Sequence, residues 1–419
     1  MISKFVTFLG YYVFYYPVIM SFAWMIGATF FFFRREFRKS KTPPELTAHP
    51  LVSVLIPAHN EAQDIADSVR SVYSGRYKNI EVIVINDAST DSTGEILESL
   101  LPEYPSLKLL NLDKNMGKAN GLNLALGVSK GEIIFTLDAD SMLDEYAIEW
   151  AVWHFINFPR VGAVTGNPRV RNRSTLLSRI QTAEYSSVIG LIKRTQRIMG
   201  RIMTVSGVVA AWRRSALIDS GLWNNTVITD DIEMTWKVER RFWDVRYEPN
   251  MLCWMLVPET LRGIWMQRKR WARGGMEVIR KNVSIWKGWK EHSLWLLYID
   301  YLLGVFWALA FLVCVALWLF SVATGIGLES IGNPFIGVNG AVVASVCLLQ
   351  FTVSLIIDSR YEKGLWRILI WVVWYPVIYW AFNAVITIAA IPAGFFRPLN
   401  RTATWASPDR GVRQSNGNS

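Results

Sequence analysis

From Phe5 to Phe33 the sequence carries no charged side chain and is dense in Phe, Tyr and Trp. A helix rises about 1.5 Å per residue, so this run can cross a hydrocarbon core of about 30 Å with some tilt. It is too long and aromatic for a signal-peptide core, and no small-residue cleavage site follows. Arg34, Arg35, Arg38, Lys39 and Lys41 come directly after it, against Lys4 alone before it. Because basic residues favour the cytosolic side, the chain that follows is expected in the cytosol.

Three more apolar stretches close the sequence, at about Leu294 to Thr324, Phe335 to Ile357 and Leu365 to Phe396. The loop from Gly325 to Pro334 has no basic residue and reads as outside, whereas Arg360, Lys363 and Arg367 mark the next loop as inside. The last stretch leaves two options open. A single span would put the tail, with Arg397, Arg401, Arg410 and Arg413, outside; a hairpin bent at Pro376 would return it inside. With 52% hydrophobic residues over 419 positions, gathered at the two ends, the chain reads as a soluble domain held between membrane anchors.

The net charge of +10 does not point to nucleic acid, because the basic residues sit beside the apolar segments and no nucleic-acid module is recognisable. Cys253, Cys314 and Cys347 lack metal-type spacing and imply neither a disulfide framework nor a zinc site.

Between Pro50 and Cys253 short β-branched runs alternate with amphipathic ones. VSVLIPA is followed by Asp64 to Tyr73, EVIVIND by Ser92 to Leu101, LKLLNL by Lys118 to Val128, and EIIFTLDAD by Glu145 to Phe155. This order predicts a parallel sheet with helices on both faces, whose ligands bind beyond the carboxyl ends of the strands. Polar residues cluster at those ends: Pro57 to Glu61, Asn86 to Asp91, and Leu137 to Asp140. Asp91 and Ser92 suit helix capping, whereas Asp87 and Asp138 emerge from buried strands toward one cleft and suit ligand contact. Lys118, at a helix start, is equally a nucleotide contact or a solvated lysine. Neither a dinucleotide fingerprint nor a P-loop is present.

Three elements carry the chemistry. Asp138-x-Asp140 offers hard oxygen donors, which suit Mg²⁺ or Mn²⁺ bound through one or two carboxylates and substrate phosphates. Thr229-Asp230-Asp231-Ile232-Glu233 offers a carboxylate base for a sugar hydroxyl, although adjacent acids also suit a helix start. Gln267-x-x-Arg270-Trp271 lies on an amphipathic stretch; Arg270 presents a planar fork for a diphosphate, and Trp271 a flat face for a sugar ring. An interfacial helix with snorkelling arginines is the plainer alternative for that stretch.

These three motifs in this order, between one N-terminal span and several C-terminal ones, resemble the processive family 2 glycosyltransferases, which include cellulose, chitin and hyaluronan synthases. Val161 to Arg169, Glu184 to Arg197 and Thr204 to Val208 resemble the branch that makes β-1,6-linked N-acetylglucosamine exopolysaccharide for biofilm matrix. The resemblance implies an α/β GT-A type (Rossmann-like) cytosolic domain, interfacial helices and a transmembrane bundle in a bacterial inner membrane. It implies that Asp87 and Asp138 contact uridine, that Lys118, Gln267 and Arg270 join the nucleotide site, and that Asp140 binds the metal. Asp231 would be the base, and Trp271, with Ser206 and Gly207, would meet the acceptor. The substrates would be UDP-GlcNAc and the growing polysaccharide. A small membrane partner subunit is also implied, and any cyclic-di-GMP control would fall on it, since the tail after Phe396 is too short to fold alone. Family members usually show Thr-Glu-Asp where this chain has Thr229-Asp230-Asp231. The expected layout is 1–33 span, 34–49 basic linker, 50–257 transferase domain, 258–293 interfacial helices, 294–396 about three spans, and 397–419 polar tail. Rival readings are a synthase of another β-linked polymer or a non-catalytic nucleotide-binding export subunit.

Overall fold

A computed structural model describes residues 2–325 and 338–398. The outside loop expected from Gly325 to Pro334 falls almost wholly beyond these residues, as does the tail from 399. The described chain divides into two compact units, one of residues 2–37, 179–200 and 265–397, the other of residues 38–178, 201–264 and 398. In chain order the helices are α1 Ile2–Arg35, α2 Ile65–Ser74, α3 Thr93–Leu100, α4 Lys118–Val128, α5 Ala147–Asn157, α6 Leu176–Glu184, α7 Ile192–Met199, α8 Arg214–Asp219, α9 Asp230–Arg240, α10 Leu261–Lys281, α11 Trp295–Thr324, α12 Val338–Asp358, α13 Leu369–Val372 and α14 Pro376–Phe396. The strands are β1 Val52–Ala58, β2 Ile80–Asn86, β3 Leu107–Asn111, β4 Ile133–Leu137, β5 Met142–Leu143, β6 Val161–Val170, β7 Val209–Arg213 and β8 Asp244–Met255.

The strands form one sheet in the order β3-β2-β1-β4-β7-β6-β8-β5. β1 lies parallel to β2 and β4, and β2 parallel to β3, as the alternating runs predict. Every residue of β1 and β4 is buried, which is why these strands read as unbroken Val/Ile runs rather than as an alternation. The second half departs from a purely parallel sheet. β7 runs antiparallel to both β4 and β6, while β6 and β8 are parallel. The reversal has a local consequence: Leu137 pairs with Val209, so the turn before β7 lies beside the end of β4, and the Asp138 amide donates to the Val208 carbonyl at 3.1 Å.

In the helical unit, four helices are long and apolar enough to cross a membrane, within 4–35, 289–324, 338–358 and 378–396. α1 and α11 run antiparallel: Tyr12 donates to the Leu303 carbonyl and the Trp307 indole to the Val13 carbonyl, while Leu9 packs with Ala310 and Cys314. The ends of α1 and α12 are tied by Arg194, fully buried, which pairs with Glu36 at 2.7 Å and with Asp358 at 2.9 Å. Removing one partner from such a buried set costs roughly 3–5 kcal/mol. A π-helical stretch, Tyr185–Leu191, separates α6 from α7.

The last apolar stretch is interrupted before Pro376 and, among the described residues, holds one helix long enough to span, within 378–396. A short 3-10 turn at Leu365–Ile368 leads to α13, and α14 then starts at Pro376, whose fixed φ suits a first helical position. The far end of α14 returns to α10. The Arg280 guanidinium donates to the carbonyls of Phe395 and Arg397, and Gly394 lies so close to Met276 that a Cβ there would sit 2.7 Å from the Met276 Cβ.

Candidate active site

The loops that end β1 and β2 are locked to each other. The Asn60 amide donates to Ser89 Oγ at 3.0 Å, and the Thr90 amide donates to Asn60 Oδ1 at 2.8 Å. Asn60 and Ala88 both take left-handed φ values, 56° and 54°, and alanine seldom adopts that region unless its surroundings impose it. Asp91 Oδ1 accepts the Thr93 amide at 3.0 Å, which is the capping role its position suggests. Burial alone would raise the Asp91 carboxyl, but hydrogen bonds from Thr93 and Ala62 hold it below its ordinary range.

Asp87, the first residue after β2, is buried, and its two oxygens accept the backbone amides of Met116 at 2.7 Å and Gly117 at 2.9 Å. The carboxylate thereby sets the loop that feeds α4, with Gly117 at φ 83°, where glycine alone is comfortable. The next residue is Lys118. It is neither solvated nor unpartnered: its ammonium donates to Asp138 Oδ1 at 2.5 Å and to the Gly207 carbonyl at 3.0 Å. Burial works to lower its pKa, yet Asp138, Asp230 and Asp231 outweigh that and hold it above the ordinary lysine range.

Gly207 is the hinge of the arrangement. A Cβ on it would sit 3.0 Å from Asp231 Oδ2, so the carboxylate of Asp231 packs directly on this glycine. Asp231 Oδ1 accepts the Ile232 amide at 2.9 Å in the first turn of α9, where Asp230 and Glu233 also complement the helix dipole. Asp231 therefore serves the helix start with one oxygen and faces Gly207 with the other. Ser206 is held by its amide, which donates to Thr165 Oγ1 at 2.8 Å. Asp138, Lys118, Gly207 and Asp231 thus form one chain of contacts, half-buried, between the carboxyl end of β4 and the start of α9.

Asp140 is buried, and its Oδ1 accepts the Ser141 hydroxyl at 2.9 Å. The Cys253 thiol is pushed well up by burial and by the nearby Asp140 and Asp138. Among the described residues no three His, Cys, Asp or Glu side chains converge on a metal position. One or two carboxylates completed by substrate phosphates is the arrangement Mg²⁺ and Mn²⁺ use, and the buried Asp140 carboxylate is a donor of that type.

Gln267, Arg270 and Trp271 belong to the helical unit and sit in α10. Three cations stand in succession there with different surroundings. Arg268 is ion-paired with Glu184 at 2.5 Å, whereas Arg270 has no ion pair or hydrogen bond among the described residues. The Gln267 Oε1 atom is buried and likewise lacks a hydrogen-bond partner among them. Sequence reasoning gave no site role to Arg268 and Tyr185, which contact Trp271, or to Glu184 and Tyr375, which hold Arg268. The available signal was a lone acid, Glu184, opening the run to Arg197.

Comparison with known proteins agrees with this architecture. Residues 53–221 match the family described as Glycosyl transferase family 2. The chain is 38% identical over 404 residues to a poly-β-1,6-N-acetyl-D-glucosamine synthase of Staphylococcus aureus (strain COL), covering 96% of this chain and 98% of the relative. It is 39% identical over 402 residues to the protein of the same description in Staphylococcus epidermidis, covering 95% and 97%. In fold it resembles the mannosyltransferase PcManGT from Pyrobaculum calidifontis, solved with GDP-Man and Mn²⁺, with a TM-score of 0.61 and 22% identity over 91% of this chain and 98% of that one.

Proposed function

The chain belongs to the family 2 glycosyltransferases, in the branch of the poly-β-1,6-N-acetyl-D-glucosamine synthases, and on that premise we propose that it polymerises N-acetylglucosamine from UDP-GlcNAc at a bacterial inner membrane. The observation that carries the reading is the meeting of Asp138, Lys118 and Asp231 around Gly207 at the strand ends. A sugar-nucleotide transferase needs an anion-compatible lysine and a positioned base in one place. The basic run from Arg34 to Lys41 favours the cytosolic side for the sheet unit, where the nucleotide sugar is made.

Asp231 is the base in this reading. Its carboxylate takes the proton from the acceptor's 6-hydroxyl as that oxygen bonds to the anomeric carbon and the bond from that carbon to the UDP oxygen breaks, with inversion. Lys118, held cationic by its acidic neighbours, stabilises negative charge on the nucleotide side, and Asp138 keeps its ammonium in place. Asp87 shapes the Met116–Gly117 loop against which the nucleoside rests. Asp140 is the carboxylate assigned to Mg²⁺ or Mn²⁺; the bound ion supplies charge neutralisation for the departing diphosphate. Arg270, without an ion pair or hydrogen bond among the described residues, and Gln267 are assigned to the diphosphate, and Trp271, with Ser206 and Gly207, to the acceptor end.

The test is a purified-membrane assay with Mg²⁺. UDP-GlcNAc should yield UDP and a polymer cleaved by a β-1,6-N-acetylglucosamine hydrolase, while UDP-glucose and UDP-glucuronate should yield none. A polymer that requires either of the latter would assign a different product.

A further inference from the structure

Trp271 is not a free-standing ring. Arg268, three residues before it on α10, places its guanidinium 4.6 Å from the centre of the Trp271 ring. That guanidinium is fixed from behind: it donates to Glu184 Oε2 at 2.5 Å, and Glu184 Oε1 accepts the Tyr375 hydroxyl at 2.7 Å. Glu184 and Tyr375 are both buried. Tyr185 meets the same indole edge-on, with ring centres 6.2 Å apart and planes at 74°. The Trp271 ring is thus contacted by a cation over one face and by an aromatic ring set at a steep angle to it.

We propose that Arg268, Glu184 and Tyr375 are positioning residues that set the orientation of Trp271, so that the polymer end stacks on the ring while the next sugar is added. This rests on the reading of Trp271 as the acceptor contact. The physical case is one of restraint. An indole on a helix surface samples several rotamers, and each must be frozen before a sugar can lie on it productively. A planar guanidinium lying against the ring, itself clamped by a carboxylate and a phenol, removes that freedom in advance. A simple strut between helices would need the Glu184–Arg268 pair but not the contact with Trp271. The neighbouring cation, Arg270, has no such partners among the described residues, so the two arginines of one helical turn divide between holding the ring and meeting ligand.

The experiment compares Arg268→Lys, Tyr375→Phe, Trp271→Ala and the double variant Arg268→Lys/Trp271→Ala in membranes supplied with UDP-GlcNAc. KM for UDP-GlcNAc, kcat and polymer length are read together, with thermal unfolding measured in detergent. Arg268→Lys keeps the charge but loses the flat contact. It should leave KM for UDP-GlcNAc within about twofold, shorten the polymer and lower kcat about tenfold. Tyr375→Phe, the milder change, should move length and kcat in the same direction by about threefold. The double variant should be no worse than Trp271→Ala alone. Normal length and kcat in both Arg268→Lys and Tyr375→Phe, or effects of Arg268→Lys and Trp271→Ala that multiply, would overturn the positioning role. If Arg268→Lys does not fold, Tyr375→Phe alone decides it by the same readouts. Unchanged polymer from Trp271→Ala would instead overturn the acceptor assignment on which the proposal rests.

Discussion

The two ends of the parallel strands carry the same kinds of residue to opposite effect. At the amino ends, Glu81 on β2 accepts from Ser53 Oγ at 2.6 Å, from Lys108 Nζ at 2.7 Å, and from the amides of Lys130 and Gly131. The carboxylate meets the Lys108 ammonium, lies within reach of the Arg214 charge as well, and has its remaining capacity taken by hydrogen bonds within the chain. At the carboxyl ends, three carboxylates, Asp138, Asp230 and Asp231, act on the single ammonium of Lys118. This end is charge-unbalanced and half-buried. A proton, a metal ion or a cationic transition state can supply what it lacks, whereas the Glu81 end is complete. Charge balance, more than the presence of acids, separates a structural clasp from a reactive centre.

The comparison can be broken by substitution, and the largest effect belongs to Asp231. Asp231→Asn should lower polymer formation by roughly 10²–10⁴-fold with unfolding unchanged, because a positioned general base contributes about that much. Lys118→Met should come next. It leaves Asp138 without its charged partner, and kcat/KM should fall about 10- to 100-fold, in line with charged hydrogen bonds worth roughly 1.5–3 kcal/mol. Gly207→Ala probes geometry alone. Its Cβ would meet Asp231 Oδ2 at 3.0 Å and displace the base by a few tenths of an ångström, so a loss of about tenfold in kcat is expected with KM for UDP-GlcNAc little changed.

Glu81→Gln should have the smallest effect on catalysis, with kcat/KM unchanged within about twofold. Its effect is on stability and carries a pH signature. Burial would raise the Glu81 carboxyl, but hydrogen bonds from Lys108, Ser53 and Lys130 push it down to about 2. A carboxyl lowered on folding stabilises the protein above its unfolded pKa and loses that contribution as pH falls through the folded value. The variant should therefore unfold more easily at neutral pH and converge with the parent as pH falls toward 2, as followed by denaturation of the folded enzyme in detergent. Equal catalytic losses from Glu81→Gln and Asp231→Asn would end the distinction between the two ends.

Much of the fold was legible because burial on both faces writes itself into composition. The run VSVLIPA is β1 to the residue, EVIVIND is β2 shifted by one, and Asp138 and Asp140 follow β4 as the pattern predicts. What the pattern could not express was the reversal at β7. No local signal in VAAWR tells whether it pairs parallel or antiparallel, yet that choice brings Gly207 beside Asp138 and Lys118. Lys118 itself had two equal readings in sequence, and a third, buried pairing with Asp138, is what the fold selects. Arg268 and Arg270 make the same point within one helix. They are the same residue type two positions apart, and what distinguishes their surroundings is Glu184 and the Trp271 ring against Arg268.

The sequence by itself determined the division into apolar spans and an α/β sheet, the strand ends at which polar chemistry gathers, and the kinship those motifs announce. These follow from hydrophobic periodicity and from short motifs, which are local in the chain. The tertiary structure decided which charges are balanced and which are left in excess, which arginine is held, and what Asp231 faces. Those properties depend on groups brought within about 3 Å from distant parts of the chain, where electrostatic and hydrogen-bond energies are set by neighbours that residue order alone does not name.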